Sequence, residues 1–159
     1  MDFTIRPATE DDYAELGQVF AVGDGLHSEA LPHVFQKPDG PARSKRYISA
    51  VISDQNTALF VAEIDGHIIG LVQAYIQQTR DIPILTPRRY ATIDNIAVQK
   101  EFRRFGVGQA LVKKAEQWAV SKNVSQIELT VWEFNTEASA FYDKLGYTTS
   151  RRTMCKSLE

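Results

Sequence analysis

Apolar residues recur with two periods along this chain, and the period predicts the element. Phe3–Arg6 alternates as a strand does, and Pro7 ends that strand. Tyr13, Leu16 and Phe20 then fall on one helical face, for which Thr9 is a good N-cap. The chain therefore opens with a strand followed by a helix.

Glycine and proline interrupt the helical pattern over residues 21–40. This composition predicts an irregular segment with a short helix around Ser28–Leu31. Long irregular segments in compact domains are often functional, so we expect a substrate to bind here. Pro41–Ile52 is predicted to be a second helix, with Pro41 in its first turn.

Two apolar, β-branched runs, Thr57–Ile64 and His67–Ile76, are joined by Asp65-Gly66. Asp-Gly between such runs is a strong hairpin signal. After a proline-containing loop, Tyr90–Val98 predicts a fourth strand.

The apolar pattern changes to helical spacing again from Leu111, and this helix is predicted to end at Ser121. Residues 125–132 predict a fifth strand. A last helix begins after Asn135 or Thr136 and ends at Gly146. Residues 147–157 predict a final strand or arm.

The predicted order is β-α-α-β-β-β-α-β-α-β within a single domain of residues 1–159. Strands followed by alternating helices and strands favour an α/β (α+β) fold, in which helices flank both faces of a mixed sheet.

Composition narrows the class of protein. The apolar fraction of 43% and the charged fraction of 24% are typical of a soluble globular chain. No apolar run reaches the roughly 20 residues of a membrane span, and the N-terminus lacks a signal-peptide pattern, so we expect a cytoplasmic protein. A net charge of −2 disfavours nucleic acid as a partner. One cysteine and three scattered histidines predict no metal site.

Residues 103–108, Arg-Arg-Phe-Gly-Val-Gly, lie where the fourth strand leads into a helix. Helix N-termini present unpartnered N–H groups and favour anions, pyrophosphate among them. The segment around this turn carries a local charge of +4, which suits a small polyanion. A dinucleotide fingerprint would need a glycine at Leu111, and a P-loop would need Gly-Lys-Ser/Thr, so neither fits.

About 30 residues later the chain reads Asn-Thr-Glu-Ala-Ser-Ala-Phe-Tyr-Asp-Lys-Leu-Gly-Tyr, residues 135–147. Together with Arg-x-x-Gly-x-Gly, this motif resembles the two signatures of the GNAT superfamily of N-acetyltransferases. The resemblance implies the GNAT acyl-CoA N-acyltransferase fold. It also implies transfer of an acetyl group from acetyl-CoA to a primary amine by direct attack, without a metal.

The same resemblance assigns residues. Tyr142 would protonate the departing CoA thiolate as general acid. Fourth-strand groups, the turn and the start of the last helix would bind acetyl-CoA; these residues are Ile96, Ala97, Val98, Arg103, Arg104, Phe105, Gly106, Val107, Gly108, Gln109, Asn135 and Tyr142.

Several alternatives stay open from the sequence. Asn135 could be only a helix N-cap, and Asp94 could be either a general base acting through water or a solvent-facing acid. His27 and His33 are placed in the irregular segment, where an ordinary loop role is favoured over a substrate role. The motifs also fit a non-catalytic module that binds and senses acyl-CoA. The acceptor could be a small molecule or a peptide, and a homodimer is an expectation from the family alone.

Overall fold

The computed structural model describes residues 1–159, which form one five-stranded sheet with four α-helices. The elements, in chain order, are β1 Thr4–Pro7, α1 Tyr13–Ala30, α2 Lys45–Ser53, β2 Thr57–Ile64, β3 His67–Gln78, β4 Arg89–Val98, α3 Val107–Ser121, β5 Ile127–Leu129 and α4 Thr136–Lys144. No helix is both long and apolar enough to cross a bilayer.

The strands lie in sequential order, β1-β2-β3-β4-β5. The first three pairings are antiparallel, and β4 pairs with β5 in parallel. Asp65 and Gly66 both take positive φ, of 50° and 81°, at the β2–β3 turn. This is the geometry that a two-residue hairpin requires, so the predicted hairpin is confirmed.

Each face of the sheet carries its own apolar core. One core holds α1 and α2 against β2 and β3 through side chains such as Leu16, Val19, Phe20, Ile48, Val51, Val61 and Leu71. The other holds α3 and α4 through Ile69, Val72, Ile93, Val107, Leu111, Val112, Ala115 and Tyr142. Helices therefore cover both faces, as the hydrophobic pattern predicts.

The first helix is longer than predicted, because α1 continues through residues 21–30 as a regular helix. Gly23 lies inside it and faces β4. A Cβ at this position would lie 3.8 Å from the Cβ of Ala97 and 4.0 Å from the carbonyl oxygen of Ile96. The glycine thus marks where helix and strand approach closely, rather than a break in the helix. His27 consequently belongs to α1 and not to a loop.

Further elements differ from the prediction, among them the fifth strand, which covers only Ile127–Leu129. The second helix starts at Lys45, because the side chain of Ser44 caps it by accepting from the amide of Tyr47 at 3.1 Å. Pro41 therefore precedes the helix. Residues 147–159 form neither helix nor strand, so the predicted final strand is wrong. The segment Arg151–Glu159 is exposed throughout and does not pair with the outer edge of β5, so this part of the chain is an arm.

Candidate functional site

Strands β4 and β5, the last pair of the sheet, part partway along β4. They pair only from Ala91 to Ile93, opposite Ile127 to Leu129. Beyond Ile93, β4 continues to Val98 with a partner only on its β3 side. The parting begins at a bulge: Asn95 pairs with Gln73 and Ile93 with Ala74, so Asp94 is the extra residue. One edge of β4 is therefore open over residues 94–98.

The direction of the free backbone groups follows from the register. The amide of Gln99 donates to the carbonyl of Ile69 at 2.8 Å, so this residue faces β3. Backbone groups alternate in direction along a strand. Ala97 and Asn95 therefore also face β3, whereas the N–H groups of Ile96 and Val98 point toward the gap. Of the three β4 residues implied by the family motif, only Ala97 directs its amide away from the gap.

The turn before α3 has the geometry of an anion site. Arg104 takes φ 65° and Gly106 takes φ 83°, and α3 starts at Val107. The first amide to donate within the helix is that of Ala110, to the carbonyl of Gly106 at 3.0 Å. The amides of residues 107–109 precede it and have no intrahelical acceptor. They point out of the helix N-terminus, where the dipole favours negative charge.

Arg104 occupies a left-handed conformation that is costly for a residue with a side chain, by about 1–2 kcal/mol. Arginine keeps its backbone N–H, so a donor remains at this position of the turn. Arg103 donates from Nε to the carbonyl of Val98 at 3.2 Å and so links the turn to the end of β4.

Tyr142 lies on α4 with its ring in the core and only 7% of the residue exposed. Its ring packs edge-on against Phe141 and Tyr147, at 5.1 and 5.5 Å between centroids. The hydroxyl makes no hydrogen bond within the protein. It is not sealed in the core either, since no fully buried side-chain oxygen or nitrogen lacks a partner. A buried ring thus presents a free phenol to an accessible space. Burial raises the pKa of Tyr142 to about 12.

This pKa shift predicts alkaline destabilisation. In the unfolded chain tyrosine ionises near pH 10, but folded Tyr142 holds its proton to about pH 12. Stability is therefore unchanged below pH 10 and falls as the pH rises from 10 to 12, by up to about 2 kcal/mol from this residue. Urea unfolding at pH 9, 10 and 11 measures the fall. Tyr142→Phe should reduce it, and an equally steep fall in that variant would contradict the assignment.

Asn135 is the N-cap of α4, and its side-chain oxygen accepts from the amide of Ala138 at 3.1 Å. The cap predicted from the sequence is therefore present. A capping oxygen already in use leaves the side-chain NH₂ group for a ligand.

Asp94, in the bulge, is exposed and forms no ion pair. The pKa of Tyr75 is raised, mainly by burial and to a smaller extent by the negative charge of Asp94. Glu128 also faces this part of the sheet, 3.6 Å from Arg88. The sheet surface beside the gap thus carries an unpaired carboxylate, which favours a cationic ligand.

An aromatic cluster joins α1 to the segment that follows β5. His27 of α1 packs edge-on against Phe35 and Phe134 at 5.3 and 5.8 Å, and Phe35 packs against Trp132 at 5.5 Å. The sequence itself places Trp132 and Phe134 close together. It gives no sign that His27 and Phe35 join them, because these contacts span about a hundred residues.

Arg43, in the loop between α1 and α2, connects this loop to α1 and to β4. Its guanidinium donates to Asp24 at 2.8 Å and to the side-chain oxygen of Asn95 at 3.3 Å. It also lies 3.8 Å above the ring of Phe20. This arginine therefore fixes the loop that carries Phe35, another role that only the tertiary structure reveals.

Comparison with known sequences gives a consistent result. The model of the Acetyltransferase (GNAT) family matches residues 25–147. An uncharacterized N-acetyltransferase of Archaeoglobus fulgidus is 33% identical over 139 residues, which cover 87% of this chain and 88% of the relative. An N-alpha-acetyltransferase of Sulfurisphaera tokodaii is 30% identical over 102 residues, but this match covers only 60% of this chain and 59% of that relative.

Solved structures share the fold. The crystal structure of a mutant of the BH1408 protein from Bacillus halodurans superposes with a TM-score of 0.92 at 24% identity, covering 98% of this chain and 99% of that one. An aminoglycoside antibiotic 6'-N-acetyltransferase from Acinetobacter baumannii gives a TM-score of 0.77 at 18% identity, covering 99% of both chains.

Proposed function

The chain belongs to the GNAT family of acetyltransferases, and from that premise we propose that it transfers an acetyl group from acetyl-CoA to the primary amine of a small molecule or peptide. The observation that carries this proposal is the open edge of β4, which the free hydroxyl of Tyr142 and the unpaired carboxylate of Asp94 accompany in one fold. A thioester bound along this edge would need an acid for its sulfur and a surface that attracts an amine, and these two groups would supply them.

The turn before α3 would hold the pyrophosphate of acetyl-CoA. The free amides of residues 107–109 supply donors, and Arg103 and Arg104 supply positive charge. The pantetheine arm would then run along the open edge of β4. There the amides of Ile96 and Val98 would bind it, as an added strand would, and stabilise the oxyanion of the tetrahedral intermediate.

In the reaction, the amine nitrogen attacks the thioester carbonyl, the C–N bond forms and the C–S bond breaks. Tyr142 gives its proton to the thiolate. Its pKa of about 12 keeps the phenol protonated at any physiological pH, so the acid is always ready. The proton passes as the C–S bond breaks, so one anion, the thiolate, is exchanged for another, the phenolate, which solvent then reprotonates.

Thiol release tests the proposal. We expect the protein to bind acetyl-CoA in calorimetry and to release free CoA thiol when an amine is present. The panel is kanamycin, spermidine, lysine and a peptide with a free N-terminus. Kanamycin is included because one protein of the same fold acetylates aminoglycosides. Binding without thiol release from any amine would indicate the non-catalytic acyl-CoA module instead, and absence of binding would contradict both.

A further inference from the structure

The orientation of His27 is fixed by a backbone carbonyl. Its Nδ1 lies 2.8 Å from the carbonyl oxygen of Gly23, one helical turn earlier. A carbonyl oxygen can only accept, so Nδ1 carries the hydrogen and Nε2 of the neutral ring carries the lone pair. Nε2 makes no hydrogen bond within the protein, and it is not sealed from solvent. The ring is therefore held with its proton acceptor free.

The imidazole lies beside the gap between β4 and β5. Gly23 marks the contact of α1 with β4 at Ile96 and Ala97, and His27 follows on the same face of the helix. One edge of the ring packs on Phe134, which directly precedes the cap of α4. The ring thus bridges the helix over β4 and the segment that follows β5, and these are the two sides of the gap.

The surroundings of the ring are largely uncharged. Phe35 and Phe134, which pack on it, carry no charge. On its own helix Asp24 is paired with Arg43 at 2.8 Å. Glu133, next to Phe134, is 91% exposed and lies 4.0 Å from Arg152. Asp94 on β4 is exposed as well. No charged partner therefore occupies the free Nε2, which is left to accept a proton from a ligand.

We propose that His27, through Nε2, accepts the proton that the acceptor amine loses as it attacks the thioester. This inference rests on the proposed transferase function. The amine nitrogen bonds to the carbonyl carbon and its proton passes to Nε2. The intermediate then collapses, the C–S bond breaks, and the thiolate takes the proton of Tyr142. Exchange with solvent returns the imidazolium and the phenolate to their neutral forms.

His27→Phe distinguishes a proton-accepting role of His27 from a packing role. Phenylalanine keeps the packing against Phe35 and Phe134 but has no lone pair to accept a proton. We expect kcat to fall by about 10²-fold or more while the Kd for acetyl-CoA stays within twofold. The rise of kcat/KM with pH that comes from the histidine should disappear. His27→Asn, which can still donate to Gly23, should lose activity equally. His33→Phe, an exposed histidine in the following loop, should have no effect.

The outcomes separate the two proposals. Thiol release that continues unchanged in His27→Phe, with an unaltered pH profile, would overturn the role of His27 alone. So would loss of the rising limb in Asp94→Asn but not in His27→Phe, because the carboxylate would then be the proton acceptor. Failure of the unmodified protein to release thiol with all four amines would overturn the transferase function, and the role of His27 with it.

Discussion

Replacing Tyr142 by phenylalanine is expected to lower kcat for amine acetylation by about 10²-fold or more, with the Kd for acetyl-CoA unchanged within twofold. The substitution removes only the hydroxyl, which has no partner in the protein, so neither packing nor an internal hydrogen bond is lost. A missing general acid leaves the thiolate to depart unprotonated, and proton transfer of this kind contributes roughly 10²–10⁴-fold. Steady-state thiol release and calorimetry measure the two quantities.

Tyr147 provides the matched control. It packs against Tyr142, but its hydroxyl donates to Glu116 at 2.9 Å, and burial together with that carboxylate raises its pKa. Tyr147→Phe therefore removes a real hydrogen bond and should cost about 1 kcal/mol of folding stability, while kcat stays near that of the unmodified protein. The opposite pattern, with turnover lost only in Tyr147→Phe, would remove Tyr142 from the mechanism.

The parts of the fold that sequence predicts are those set by local chemistry. Asp65-Gly66 determines its hairpin because both residues accept positive φ. Gly146, at φ 90°, ends α4 for the same reason. The helical stripe from Leu111 predicts α3 through to Ser121. Each signal lies within a few residues, so tertiary contacts are not needed to interpret it.

The errors arise where tertiary contacts overrule local preference. Gly23 suggests a break in the first helix, yet the helix continues through it because this face of α1 packs on β4, 3.8 Å from where a Cβ would lie. The chain after Gly146 is predicted to form a strand or arm, but Tyr147 packs against Tyr142 and donates to Glu116. The residues that follow form an exposed arm and do not pair with β5.

Some parts of the candidate site can likewise be predicted from local sequence, and others depend on tertiary contacts. The turn at residues 103–108 and Tyr142 stand out as motifs, because their residue types and spacing lie within one stretch of chain. The direction of the Ile96 and Val98 amides depends on the pairing with β3. The bulge at Asp94 changes which residues of β4 direct their amides toward β3. His27, Phe35 and Phe134 come from three separate segments. Such a cluster is visible only once the chain is folded.

Gly106→Ala is expected to raise the Kd for acetyl-CoA by about tenfold or more. Gly106 takes φ 83° and initiates α3, and a Cβ there would meet no atom within 4 Å, so the penalty is conformational rather than steric. Holding alanine in this region costs about 1–2 kcal/mol. If the turn relaxes instead, the amides of residues 107–109 no longer converge on one point. A loss of about 1.4 kcal/mol of binding is a factor of ten in Kd, measurable by calorimetry.

Gly66 distinguishes a weakened fold from a weakened binding site. It has nearly the same conformation, φ 81°, and equally open surroundings, but it lies in the β2–β3 hairpin. Gly66→Ala should therefore lower the free energy of unfolding by about as much as Gly106→Ala, again about 1–2 kcal/mol, and leave the Kd for acetyl-CoA unchanged. Equal affinity losses in both variants would mean that general stability, and not the anion turn, governs binding. Unchanged affinity in both, with the free energy of unfolding lowered in both, would mean that alanine holds the turn at position 106, and it would contradict the expected loss of binding.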